Sequence, residues 1–337
     1  MININEKNIV KKESIDVDFF YKHTKDRFNL KLLNKKNGFN RVINDQNLHR
    51  PGLALAGFVD LYSYNRVQVF GNTEMRYLNQ LTSSQRKKSL ENIFKFDIPC
   101  LILSDNNKPL EEMIELASKY KVPIFGTNFP TTKLIFLVSD FLDDQFAPRL
   151  SVHGSFVDVY GVGMLFVGKS GIGKSEVALD LVERGHRLVA DDVVILTKKG
   201  EGILMGSGTN LAKHFMEIRG IGIIDIRSMF GVRAIRFQKR LEIIVELEIW
   251  DEKGDYTRTG LDGIKQTLLD VDIPYIKLPI VPGKNITVIS EVIALNYLLR
   301  HYGYDAAQVF KRRLNYGIRQ KLNGTDRVID YFEHDFE

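Results

Sequence analysis

Cysteine and proline are scarce in this chain, and long apolar runs are missing. One cysteine in 337 residues, Cys100, excludes a disulfide scaffold and any zinc site built on thiolates. Nine prolines and 26 glycines are too few for a collagen-like or Pro/Gly low-complexity chain. No stretch approaches 18 uninterrupted apolar residues, so no membrane span is written here. The opening residues MININEKNIVKKESID lack the apolar run of a signal peptide, and a cytoplasmic location is the expectation. With 44% apolar and 26% charged residues, the remaining class is an ordinary globular protein. Its length suggests two domains.

The net charge of +5 is uneven. Residues 1–150 hold 22 Lys and Arg against 17 Asp and Glu, whereas residues 151–337 hold 25 of each. The excess lysines are scattered rather than striped. A solvated surface is the better reading, and nucleic acid is not the expected partner.

Organisation follows from punctuation and periodicity. In the first half, Leu53–Val59, Val67–Phe70, Ile98–Leu103 and Val122–Gly126 read as strands. They alternate with helices expected over 73–81, 84–94 and 109–120. That alternation indicates a small α/β domain over 1–147, with no chemistry attached to it. The Ala147-Pro148-Arg149 break marks the boundary, and a second α/β domain is expected over 148–337.

The second half carries the chemistry. Residues 168–175 read GKSGIGKS, a full match to G-x-x-x-x-G-K-[ST]. Gly168, Gly171 and Gly173 permit the tight turns that aim successive N–H groups at phosphate oxygens. Lys169, Ser170 and Ile172 fill the variable positions. Lys174 would reach the β and γ phosphates of a nucleoside triphosphate, and the Ser175 hydroxyl would ligate Mg2+. An apolar run, Met164–Val167, precedes the loop. A helix follows it, with Val177, Ala178, Leu181 and Val182 on one face and Gly185 as its stop. The next apolar run, Leu188–Ala190, ends in Asp191 and Asp192. Such a pair suits either a metal-ordering carboxylate and base or a simple turn. By themselves, His153 in SVHGS and Arg258 in DYTRTG pass as structural and surface residues.

The blocks SVHG at 151–154, GKSGIGKSE at 168–176, RGHRLVADD at 184–192, MEIRGIGIIDI at 216–226 and LPIVPGK at 278–284 occur in this order. Together they resemble the HPr kinase/phosphorylase family, and the EIRGIGIID block is the most specific of them. The resemblance implies a C-terminal P-loop kinase domain with a mixed sheet. It implies ATP-dependent phosphorylation of a serine on the phosphocarrier HPr, and the reverse, phosphate-dependent removal giving pyrophosphate. By position it implies ATP held by Gly168–Ser175, Mg2+ ligated by Ser175 and Glu217, Asp192 as the acid/base, and His153, Lys174 and Arg258 as further catalytic residues. It implies a homohexamer. The residues after Gly303 lie beyond comparison.

Overall fold

The computed structural model describes residues 9–200, 202–209, 211–251, 263–281 and 283–322. The chain divides into two compact units, Val10–Pro148 and a second that begins at Arg149 and includes Ile9.

The first unit is a three-layer α/β/α sandwich. Its sheet runs Lys31–Leu32, Ile124–Gly126, Leu101–Leu103, Val67–Phe70, Leu48–His49 in spatial order. The last four strands are mutually parallel, and Lys31–Leu32 is antiparallel at the edge. A strand covered on both faces favours apolar residues throughout, which is why Leu101–Leu103 and Ile124–Gly126 read as continuous apolar runs. The buried Gln68 of Val67–Phe70 donates to the Ser63 and Arg66 carbonyls. Val67, Val69, Ile102 and Phe125 face the helices Val17–Thr24 and Thr131–Phe146. Phe70, Leu101, Leu103 and Ile124 face the helices Asn72–Gln80, Ser83–Phe94 and Glu111–Tyr120. Leu53–Val59 is not a strand. Gly52–Leu55 is a short helix with Ala54 and Leu55 buried and Leu53 exposed, and Gly57 at φ +104° turns the chain away from it.

The second unit stacks helices on a six-stranded sheet and that sheet on a five-stranded one. The six strands lie in the order Arg187–Ala190, Ser155–Val159, Val162–Gly168, Ile243–Ile249, Val271–Ile280, Lys265–Leu268. The three strands Val162–Gly168, Ile243–Ile249 and Val271–Ile280 are parallel, and the remaining pairings are antiparallel, so the sheet is mixed. Alternation along Val162–Gly168 divides its side chains between two cores. Met164 and Phe166 pack toward the helices Lys174–Glu183 and Ile286–His301, while Leu165 and Val167 pack toward the second sheet. That second sheet is antiparallel among Arg149–His153, Val193–Lys199, Ile203–Gly208 and Gln238–Arg240. It also carries Ile9 at its edge. Among the described residues, no helix is long and apolar enough to cross a membrane.

Two long stretches of chain belong to both sheets, and this builds the site. Residues 149–159 leave one sheet for the other at Gly154, and residues 187–199 do the same at Asp191–Asp192. The corners are bonded together, Gly154 N–H donating to the Asp192 carbonyl at 3.0 Å. Glycine is required at 154 because a Cβ there would sit 2.5 Å from the Phe166 carbonyl oxygen. At its own corner Asp192 adopts φ +64°, a left-handed conformation that Asp and Asn tolerate better than most residues.

Candidate active site

The strand Val162–Gly168 delivers its last residue into the Gly-rich loop, and Lys174 opens the helix Lys174–Glu183. Gly168, Gly171 and Gly173 have φ of +142°, +80° and +99°. A Cβ at Gly168 would lie 2.4 Å from the Leu247 carbonyl oxygen of the adjacent strand, so close strand packing as well as dihedral freedom demands glycine there. The helix behind the loop is held by Val177, Ala178, Leu181 and Val182, all buried. It is closed at Gly185, where Gly185 N–H donates to Val182 and His186 N–H to Leu181. A Gly-rich turn at a helix N-terminus presents free amides and the positive end of the helix dipole, an arrangement suited to phosphate.

The loop faces a cavity of about 140 Å3. The structure brings His153, Ser170, Gly171, Gly173, Lys174, Ser175, Asp192 and Glu217 to its lining. Gly168 and Ile172 stand behind it, Ile172 packing on the core, and Lys169 points out from the loop, exposed. Arg258 lies outside the described residues.

Lys174 is buried, and its ammonium donates to the Gly168 and Lys169 carbonyls at 3.3 and 3.2 Å. Burial holds its pKa below the ordinary lysine value, against the pull of Asp191, Asp192 and Glu176. Ser175 Oγ donates to Asp191 at 2.9–3.0 Å, and Ser155 Oγ donates to the same carboxylate at 2.5 Å. Burial pushes the Asp191 carboxyl above the usual range, opposed by these two hydroxyls and by the backbone amides of Asp192 and Glu217.

Asp192 turns the other way at the corner. It is more than half exposed, and His153 Nδ1 lies 3.0 Å from its Oδ1 and 2.9 Å from its own carbonyl oxygen. The antiparallel register that places Val193 opposite His153 makes this contact a consequence of topology. The far wall is a hairpin of Phe215–Ile218 and Gly222–Asp225, with Met216 and Ile218 buried and Glu217 directed at the cavity. Arg219, in its turn, donates to Ser170 Oγ at 3.3 Å and packs on Gly171, where a Cβ would fall 2.5 Å from Nη1.

The site therefore combines an amide cradle, a buried cation, an acceptor-rich hydroxyl and carboxylate pair, and a solvent-facing carboxylate. Those are the parts that phosphoryl transfer requires. The whole-chain comparisons agree with this chemistry. Residues 19–142 match the model described as HPr Serine kinase N terminus, and residues 144–314 match that of the HPr Serine kinase C-terminal domain. The HPr kinase/phosphorylase of Chloroherpeton thalassium is 55% identical, the match covering 98% of this chain and 99% of that protein. That of Prosthecochloris aestuarii is 50% identical over the full length of both. The chain belongs to the HPr kinase/phosphorylase family. A solved structure, the HPr(Ser) kinase/phosphatase from Coxiella burnetii, is 35% identical over 48% of this chain and 97% of that one, with a TM-score of 0.42.

Three residues of this HPr kinase/phosphorylase family site carry no assignment in the sequence reading: Ser155, Asp191 as the acceptor of two hydroxyls, and Arg219. Asp191 was visible as half of an acidic pair. Ser155 had no signal, since only the sheet corner brings it to Asp191. Arg219 lay within the EIRGIGIID block without a role of its own.

Proposed function

We propose that this protein transfers the γ-phosphoryl group of ATP to a serine of HPr and removes it again by phosphorolysis, regulating carbohydrate uptake and metabolism. The observation that carries the reading is the double sheet corner, which sets Asp192 and Asp191 on opposite sides of one backbone turn beside the Gly-rich loop.

In the forward direction the P-loop, Gly168–Ser175, cradles the nucleotide phosphates on its amides, and Lys174 neutralises charge on the β and γ groups. The seryl oxygen of HPr attacks the γ phosphorus, its proton passes to Asp192, and the bond to the β-phosphate oxygen breaks to release ADP. His153 orients the carboxyl by holding Nδ1 against it. Arg219 and Lys174 place two cations on the loop, where the transferring group gathers negative charge. In the reverse direction inorganic phosphate occupies the loop and attacks the phosphorus of phosphoserine. Asp192 then returns its proton to the departing seryl oxygen, and pyrophosphate leaves. One carboxyl serves both directions because the proton retraces its path.

Mg2+ belongs to the same reading. Ser175 and Glu217 offer hard oxygen donors at the cavity, and Asp191 holds the Ser175 hydroxyl. Among the described residues no group of three or more His, Cys, Asp or Glu forms a cage. That suits an ion taking few protein ligands and completing its shell from phosphates and water. When bound it would neutralise phosphate charge.

The reading extends to a homohexamer acting in the cytoplasm, with 1–147 and 148–337 as its domains. Exposed Leu211, Ile221, Ile223 and Val232 supply apolar surface of the kind that interfaces use. The deciding experiment incubates the protein with labelled ATP, magnesium and HPr. Acid-stable phosphoserine on HPr, and its loss with pyrophosphate release on adding phosphate, is expected; unmodified HPr under all nucleotide concentrations overturns the proposal.

A further inference from the structure

A cavity of about 580 Å3 in the first unit has no place in the transfer reaction, and its volume falls within the roughly 300–1,000 Å3 of small-molecule sites. It opens before the amino ends of the parallel strands Val67–Phe70, Leu101–Leu103 and Ile124–Gly126, where segments 64–65, 97–99 and 120–121 meet segment 38–44.

Its walls are bonded to one another through a single guanidinium. Arg41 Nε donates to the Lys121 carbonyl at 2.9 Å, Nη1 to the Ile98 carbonyl at 2.6 Å and Nη2 to the Tyr120 carbonyl at 2.8 Å. Nη1 also donates to the Asp97 carboxylate at 2.5 Å. The segments that lead into two of the strands are thereby tied to the one that carries Arg41. Gly38 closes the same junction. At φ +68° it runs so near the Lys121 carbonyl oxygen that a Cβ would lie 1.9 Å from it. The ring of Tyr64 is held as well, since Phe96 stacks on one of its faces with centroids 5.4 Å apart and planes inclined by 20°.

The chemical class follows from which polar groups are spent. Four of the five N–H donors of Arg41 are taken, so its guanidinium is a strut and not an anion receptor. Asp97, 88% exposed, sets negative charge at the rim, against one ammonium, that of Lys121. That balance does not favour a phosphate. Among the described residues the side-chain amides of Asn40, Asn44 and Asn65 and the Tyr64 hydroxyl have no hydrogen-bond partner. Each amide sets a donor beside an acceptor, the pattern that two neighbouring hydroxyls complement. Tyrosine adds a large, rigid contact area at low entropic cost. We propose that this cavity binds a neutral monosaccharide in its ring form, its apolar C–H face on Tyr64 and its hydroxyls on the asparagine amides.

The test is saturation-transfer NMR of the full chain with the methyl glycosides of glucose, galactose and mannose. Binding is read without ATP or HPr, so its failure leaves the transfer reaction untouched. At least one glycoside should receive saturation on its ring C–H protons and half-saturate below about 10 mM. Its affinity should fall at least tenfold in Tyr64→Ala, stay within threefold in Tyr64→Phe, and fall at least tenfold in Asn40→Ala/Asn65→Ala. The exposed positions of these side chains leave the Tm unchanged. Glucitol, which keeps the hydroxyls without a ring face, should bind at least tenfold more weakly, and inorganic phosphate should not compete. No transfer to any of the three glycosides up to about 50 mM, binding indifferent to Tyr64→Ala and to the asparagine pair, glucitol bound equally well, or displacement by phosphate each overturns the proposal.

Discussion

Replacing Asp192 by asparagine separates basicity from geometry. Asparagine tolerates the φ of +64° at this corner, fits the same volume, and keeps a carbonyl oxygen for His153 Nδ1, now 3.0 Å from Oδ1. The Gly154 N–H bond to the residue 192 carbonyl also survives, because it uses backbone alone. What disappears is the group that takes and returns a proton. General acid–base catalysis is worth roughly 10²- to 10⁴-fold, so kcat for both reactions should fall by that factor, about 3–5 kcal/mol of barrier. His153 is left beside the site as the remaining proton acceptor, and His153→Ala in the Asp192→Asn background should lower the residual rate further. The assays are phosphoserine formation on HPr and pyrophosphate release from phosphorylated HPr, with ATP affinity measured in parallel. ATP affinity should change less than about threefold, since the cradle is untouched. An Asp192→Asn enzyme that phosphorylates HPr within threefold of the parent rate refutes the assignment.

Lys174→Ala removes the cation buried in the loop and should weaken ATP binding at least tenfold; an unchanged dissociation constant for a fluorescent ATP analogue counts against the cradle. Gly206→Ala would drive a Cβ to 2.4 Å from a ring carbon of the fully buried Phe156, and overpacking of about 1–3 kcal/mol should lower the Tm of the second unit by several degrees. Equal melting curves would show that the two sheets can separate at no cost. Glu291 accepts from Arg184 and His186, and the Arg184 bonds hold its carboxyl below the ordinary range. Its folded pKa is therefore depressed, so its contribution to stability is complete above about pH 4.5 and is lost as pH falls through the lower folded value. The Tm gap between parent and Glu291→Gln should narrow in that window, and curves that stay parallel from pH 7 to 3 refute the linkage.

Local elements were legible where periodicity and stop signals coincide. The loop helix, its buried stripe and its Gly185 cap stand in the sequence as they stand in the fold. Short apolar runs were ambiguous, and Leu53–Val59 resolved into one helical turn in which the adjacent Ala54 and Leu55 are buried while Leu53 and Phe58 are exposed, against the alternation of a strand. The helix Thr131–Phe146 was legible but unread: Leu134, Val138, Phe141 and Leu142 repeat at helical spacing after Pro130. The helix Ile286–His301 is capped by Asn285, whose side chain accepts from Val288 N–H. Ser290 lies inside the helix and bonds back to Ile286, while Val292, Leu295 and Leu299 face outward. Strand order was beyond reach. The reading of strand, loop, helix and strand is right in sequence, yet Ser155–Val159 lies between Val162–Gly168 and Arg187–Ala190, the two strands that the loop and helix connect. Pairing between distant segments leaves no local pattern, so neither the sheet corner nor the Ser155–Asp191 bond could be read in advance.

The cleft has one wall of each mechanical kind. His153, Asp191 and Asp192 stand on backbone shared by two packed sheets, so moving that backbone disturbs both cores. Glu217 and Arg219 ride on a ribbon that pairs with no other strand among the described residues, held where Met216 and Ile218 dip into the apolar layer and where the Glu217 amide and the Arg219 guanidinium reach Asp191 and Ser170. Substitutions in the ribbon can thus reshape the cavity wall while the backbone that carries the proton-handling groups stays in register. Docking and chemistry become separately adjustable within a single narrow opening.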